Sequence, residues 1–177
     1  MAKVFYHNDP DGRCSAYWVR KHLENEKIEF TESDFIEMNY DRPFPWGVLQ
    51  SNEQVFMVDF CLNDPIDMAG LSKLADLTWI DHHKTAIDKM GNFYVKGIRI
   101  DGVAACALTW PYLNLTISDL RIDPEHWISQ APLFTQWIHL WDTWQWKDHE
   151  SAGEIEAFIT ALSAYNMHPC SSNWDKL

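Results

Sequence analysis

Three short apolar runs in this chain each break off at acids and histidines. Val4-Phe5-Tyr6 leads into His7, Asp9 and Asp11; Val55 to Val58 leads into Asp59; Leu77 to Ile80 leads into Asp81-His82-His83. Carboxylates and imidazoles gathered at one place suit a divalent cation. This mixture points to Mn²⁺ and leaves Mg²⁺ or another transition metal open. Each piece alone has a plainer reading. Asp9-Pro10-Asp11-Gly12 is ordinary turn chemistry before a helix, Asp81 serves equally as a helix cap, and His82-His83 suits a solvated surface. The conjunction carries the weight, because independent turns seldom leave Asp or His at the ends of three apolar runs.

The elements that must position these residues follow from the same stretches. Val55 to Val58 is continuously apolar, as a strand buried on both faces requires, and Val4 to Tyr6 and Leu77 to Ile80 read alike. Ile28 to Phe35 is expected as a second strand and Phe93 to Ile100 as a fifth. After Gly12, Cys14, Tyr17 and Trp18 share a face at helical spacing. Asp64-Pro65 reads as an N-cap and first helical residue, with Ile66, Leu71 and Leu74 lining the helix. Val103 to Trp110 predicts a small-residue helix stopped by Pro111. Leu133, Trp137, Leu140, Trp141 and Trp144 mark another helix face. Ser151 and Glu154 have capping-box spacing, ahead of a helix burying Ile155, Phe158, Ile159 and Leu162. Asp41 to Gly47, with two prolines, reads as a loop or a single turn.

Strands alternating with helices imply an α/β fold: a doubly wound, mainly parallel five-stranded sheet with helices on both faces. Residues 1–165 are expected to form one domain, and 166–177 a tail or linker. In such sheets ligands bind beyond the carboxyl ends of the strands, so the acids and histidines gather on one edge. Four aspartates there (Asp9, Asp11, Asp59 and Asp81) repel one another unless something positive lies between them.

Composition narrows the function. The chain has 177 residues, 46% hydrophobic and 23% charged, ordinary for a globular domain. With 14 Lys+Arg against 26 Asp+Glu, its net charge is −12. That argues against long duplex nucleic acid, which is held through Lys and Arg, but not against a small anion held by metal ions. Cys14, Cys61, Cys106 and Cys170 form no CxxC pair and read as free thiols of a reducing compartment. No apolar run approaches a membrane span, and there is no signal layout at the N-terminus. A cytoplasmic location is expected.

His7-Asn8-Asp9-Pro10-Asp11-Gly12 with Ser15-Ala16 resembles the first motif of the DHH phosphoesterase superfamily. Asp59 resembles the second motif, and Asp81-His82-His83 the triplet that names the family. Gly102-Val103-Ala104-Ala105 with Leu108-Thr109-Trp110 resembles the helix that follows, and Trp141-Asp142-Thr143-Trp144-Gln145-Trp146 the fourth motif. The resemblance covers residues 3 to about 165. It implies a two-Mn²⁺ phosphohydrolase in which paired cations activate water and stabilise phosphoryl oxygens. By resemblance, Asp9, Asp59 and His7 hold one ion, and Asp11, Asp59, His82 and Asp142 the other. Asp81 supports that shell or approaches a metal, and His83 faces phosphate; Asp59, Asp81 and His83 are the catalytic candidates. The sequence departs from the family at Phe5, where some relatives have histidine, and at Asp101, where many have serine. It also shows no glycine-rich, basic substrate-binding motif of the kind carried by the family's second domain. A partner or a second copy completing the cleft is one expectation.

Arg13 and Lys84 adjoin the motifs and are candidates for touching substrate, or simply solvated side chains. The helix after Gly12 could turn its amides towards phosphate. Trp146, off the helix face of Trp137, Trp141 and Trp144, is the candidate for stacking a nucleobase. His22, His126, His139, His149 and His168 read as surface or satisfied core residues. The expected activity is cleavage of phosphodiester or phosphomonoester bonds in short single-stranded oligonucleotides or other small phosphorylated substrates. Pyrophosphate or polyphosphate hydrolysis is the alternative enzyme. A catalytically weak metal- and nucleotide-binding module is the alternative of another class.

Overall fold

Strands β1 (Ala2–His7), β2 (Phe35–Met38), β3 (Gln54–Val58) and β4 (Asp76–Ile80) form one sheet in a computed structural model that describes residues 1–177. The order is β2-β1-β3-β4, with every neighbouring pair parallel. Seven α-helices accompany it: α1 (Pro10–Asn25), α2 (Pro65–Leu74), α3 (Lys84–Met90), α4 (Ala105–Asn114), α5 (Pro124–Ile128), α6 (Leu133–Asp142) and α7 (Ala152–Leu162). The chain leaves β1 towards β2 on one side and resumes at β3 on the other. The gap between β1 and β3 is therefore the switch point of the sheet, where α/β folds form a crevice.

Side-chain alternation sorts the two faces. Val4, Tyr6, Phe56, Val58 and Ile80 pack with Ala16, Val19 and Leu23 of α1 and with Ala107 and Leu108 of α4. Phe5, Val55, Met57, Leu77 and Trp79 pack with Met68 and Leu71 of α2 and Met90 of α3. Because both faces are covered, the inner stretches of β1, β3 and β4 are almost entirely apolar, which is why they read as continuous runs. A third cluster lies outside α1 and α4, where Cys14, Tyr17, Trp18, Ala104 and Cys106 meet Phe134 and Ile138 of α6 and Leu162 of α7.

The β1–α1 junction is unusually tight. Asp9 caps α1 by accepting the Gly12 amide at 2.8 Å, and Pro10 starts the helix, both favourable at those positions. A Cβ on Gly12 would stand 2.2 Å from the His7 carbonyl oxygen. The first turn of α1 thus rests directly on the end of β1, and only glycine fits.

The sheet has four strands, not five. The segment expected as the fifth, 93–100, makes only two isolated parallel bridges to the β4 side, Thr78 with Lys96 and Asp81 with Arg99. Gly97 breaks the ladder: its φ is +117°, and a Cβ there would lie 1.9 Å from the Trp79 carbonyl oxygen. The second strand is also displaced, to Phe35–Met38. Asp34 accepts from both the amide and the hydroxyl of Thr31, at 2.7 and 2.9 Å, closing a 3-10 turn where the strand was expected.

Other local expectations shift for identifiable reasons. Pro111 lies inside α4 rather than ending it; the helix continues, without the amide bond that proline cannot donate. Ile66 is exposed, and Met68 takes its place against the sheet. Ser151 forms no side-chain cap on α7, where Ile155 and Leu162 are buried and Phe158 and Ile159 half-buried. On α6 the buried face is Phe134, Thr135, Ile138 and His139, while Leu133 is exposed, and Trp144 lies beyond the helix and is exposed. Thr135 and His139 are tolerated inside because each has a partner. Trp18 Nε1 donates to Thr135 Oγ1 at 3.1 Å, and the Ala104 amide donates to His139 Nδ1 at 3.2 Å.

Residues 166–177 are docked rather than trailing. Trp174 is 1% exposed and stacks on Tyr17 at 5.4 Å, and its indole donates to the Met167 carbonyl at 3.2 Å. Asp175 pairs with Arg20 at 2.6 Å. All four cysteines are free, and no helix is long and apolar enough to cross a membrane.

Candidate metal centre

The carboxyl ends of β1, β3 and β4 bring His7, Asp59 and Asp81 to one edge of the sheet, beside the switch point. Residues just beyond them, with Asp142 from the end of α6, complete a cluster. Three overlapping groups have ligand atoms close enough to share a cation: His7, Asp9 and Asp59; Asp59, His82 and His83; and Asp11, His82 and Asp142.

Asp59 belongs to two of these groups. Its amide extends the sheet by bonding to the Ile80 carbonyl at 2.9 Å, and the chain then turns through φ +53°. Aspartate tolerates that left-handed conformation better than most residues. Its side chain is 1% exposed, yet neither carboxylate oxygen has a hydrogen-bond partner. Burial, and then the charges of Asp11, Asp9, Asp81 and Asp142, push its pKa well above the ordinary carboxylate value. A buried acid without donors is costly. A cation is the group that would satisfy it, and the surrounding oxygen and imidazole donors fit one.

The histidines close around the same carboxylate. His82 Nε2 lies 3.3 Å from Asp59 Oδ1, 3.3 Å from Asp142 Oδ2 and 3.6 Å from Asp11 Oδ2. His7 Nδ1 is 2.5 Å from Asp9 Oδ2 and 3.9 Å from Asp59 Oδ2. Burial opposes ionisation of Asp9, but hydrogen bonds from His7 and the Gly12 amide outweigh it and lower its pKa. Asp142 lacks such help. Burial, then Asp11 and Asp9, raise its pKa to about 8.

Asp11 and Asp81 are held from outside the cluster. Asp11 accepts the Cys106 and Ala105 amides at 2.7 and 2.8 Å, taking the positive end of α4 as its anchor. Each of its oxygens keeps a lone pair, and Oδ2 still faces His82. Asp81 is fully buried and fully engaged. It accepts from the Trp79 indole at 3.1 Å, from the His82 and His83 amides at 2.8 and 3.0 Å, and from His83 Nδ1 at 2.8 Å. The structure therefore sets Asp81 behind the histidines, outside the three ligand groups. Its bond to His83 is the main cause of the raised His83 pKa.

The structure thus gathers His7, Asp9, Asp11, Asp59, His82, His83 and Asp142. The other two candidates are paired with acidic side chains outside the cluster. Arg13 bonds Glu37 at 3.0 and 3.1 Å, and Lys84 pairs with Asp88 along α3 at 3.3 Å. Trp146 is stacked on Trp141 at 4.7 Å, whereas Trp144 stands 70% exposed. Sequence reasoning missed how His139 anchors the start of α4; a lone histidine carries no signal of a backbone partner far along the chain. It also missed Tyr40, whose ring lies 5.9 Å from that of His7.

No protein-family model and no curated protein matches the chain. Among solved structures it is similar to an uncharacterized protein from Helicobacter pylori G27, at 17% identity and a TM-score of 0.53. The match covers 94% of this chain and 51% of that one, so the chain spans about half the length of that structure. The likeness is one of fold.

Proposed function

We propose that this chain is a phosphohydrolase of the DHH type. It would use two Mn²⁺ ions to cleave phosphodiester or phosphomonoester bonds in short oligonucleotides or nucleotide-like substrates. The observation that carries the reading is the buried, unpartnered Asp59 carboxylate shared between ligand groups. His7, Asp9 and Asp59 would hold one ion, and Asp11, His82 and Asp142, with Asp59, the other. Bound there, the ions would supply Lewis acidity, lowering the pKa of an attacking water and neutralising charge on the phosphoryl oxygens.

The chain's own groups do the positioning. The α4 amides orient Asp11, and the Gly12 amide orients Asp9. Asp81 fixes His83 through Nδ1, which leaves Nε2 to donate to a phosphoryl oxygen when the ring is protonated. Lying beside the switch point of a parallel sheet, the cluster is where a substrate would enter. The acidic surface favours small substrates over polymers.

The test is hydrolysis by the purified chain with Mn²⁺ of 2- to 5-mer RNA and DNA, cyclic dinucleotides, pyrophosphate and polyphosphate. Metal-dependent cleavage of a nucleotide ester, abolished by EDTA and by Asp59→Asn, is expected. Turnover surviving either control overturns the mechanism. Turnover of pyrophosphate or polyphosphate alone replaces the substrate class. Mn²⁺ binding with silence across the panel replaces the enzyme with a binding module.

A further inference from the structure

Beside the metal centre lies a cleft of about 310 Å³ that shares only His83 with it. Three segments leaving the same sheet edge form it: the loop after β2 with Tyr40, the loop after β3 with Leu62 and Asn63, and α3 with Thr85 and Lys89. His83 is one of its walls, so a group attached to a phosphate at the metal centre would extend directly into it.

The lining is mixed in a specific way. Tyr40 is held in place by Phe60, at 4.9 Å between rings, yet is 43% exposed. Asn63, Thr85 and Lys89 offer hydrogen-bonding groups that the chain itself leaves unpaired, in contrast to Lys84, which Asp88 engages. Lys89 is the cleft's one lysine, and no arginine lines it. A polyphosphate carries charge on every unit and needs a row of cations. A nucleoside instead presents a flat ring and neutral acceptors, which one aromatic wall and a few donors can satisfy.

We infer that this cleft is a nucleoside subsite. Tyr40 stacks the base, and Asn63, Thr85 and Lys89 meet acceptors of the base and ribose. The inference rests on the metal-centre reading for where the phosphate sits. It names the arm beyond that phosphate as a nucleoside rather than a further phosphate.

Calorimetric titration with AMP and with inorganic phosphate, in Mn²⁺, tests it without requiring turnover. Wild type should bind AMP more tightly than phosphate. Tyr40→Leu should weaken AMP by about 5- to 140-fold, the range for losing one base stack, and leave phosphate unchanged. Lys89→Gln, at an exposed position, should also weaken AMP selectively and is a change the fold will tolerate. Equal affinity for AMP and phosphate, or an AMP preference that survives both substitutions, overturns the subsite. The two readings fail separately. AMP binding that depends on Tyr40, in a chain that hydrolyses nothing, sinks the hydrolase and keeps the cleft. Hydrolysis with AMP binding indifferent to Tyr40 does the reverse.

Discussion

Replacing Asp59 with asparagine should stabilise the metal-free protein and destabilise the metal-loaded one relative to wild type. The side chain is 1% exposed, has no donor to either oxygen and faces four other acids. Asparagine keeps its shape, removes the charge and accepts the φ of +53° at least as well. An unsatisfied buried polar group costs about 1–3 kcal/mol, more when charged. The substitution should therefore gain at least about 1 kcal/mol in chelator, or roughly 2–4 °C in Tm for a domain of this size. Saturating Mn²⁺ should reverse the order. A ligand at a hundred times its Kd adds about 2.7 kcal/mol to the folded state that binds it, and the variant forfeits most of that. Thermal unfolding followed by tryptophan fluorescence, in EDTA and across an Mn²⁺ series, reads both halves. If Asp59→Asn melts earlier than wild type in EDTA, the carboxylate is not a strained ligand but a structural group. If both proteins gain equally from Mn²⁺, the ion binds elsewhere.

Gly12→Ala should cost roughly 1–3 kcal/mol or more, the range for overpacking, because its Cβ would sit 2.2 Å from the His7 carbonyl oxygen; urea denaturation and Mn²⁺ affinity should fall together. Trp174→Ala should cost about 3–5 kcal/mol if the C-terminal segment is core, with α1 and α6 losing hydrogen-exchange protection; a change under 1 kcal/mol would return the segment to a tail. Asp34, paired with Lys3 and bonded to Thr31, has its pKa lowered despite burial. Its contribution is present above the unfolded value of 3.8 and is lost as pH falls through the lowered folded value. Asp34→Asn should therefore be less stable than wild type at pH 7, with the difference closing towards pH 2.

The parts of the fold legible in the sequence were those buried on both sides. Val55 to Val58 and Leu77 to Ile80 read as strands because nothing about them alternates, and the acids that follow read as a site because three such strands end alike. What escaped reading was set by groups distant in sequence. Thr135 and His139 are buried on α6 through Trp18 and the Ala104 amide, so hydrophobic spacing put the buried face on the wrong residues. Trp174 finds Tyr17 across 157 positions, and polar residues around it disguised the segment as a tail. Gly97 ends a ladder because of where the Trp79 carbonyl lies, which no local pattern expresses. Within the site, residue types were legible but their ranks were not: Asp81 and Asp59 each close a β-type run.

Hydrogen bonding separates those ranks. Asp81 has four donors from three residues, Asp11 has two amides, and Asp9 has one amide and one imidazole. Their charges are spread onto the fold, so each can be held rigidly at the edge of the sheet with little dependence on an ion. Asp59 has none of this, although it is among the most deeply buried of the set. A sheet edge that could satisfy Asp59 from the backbone would have no need of a cation there. One that left all the acids unsatisfied would not fold without it. The arrangement here lies between these extremes: braced acids and histidines surround Asp59, which is buried without a donor, and Asp142 beside it, whose pKa is also raised. That division concentrates the cost of the metal-free state in Asp59 and Asp142 and directs the gain from cation binding to the ligand groups they belong to.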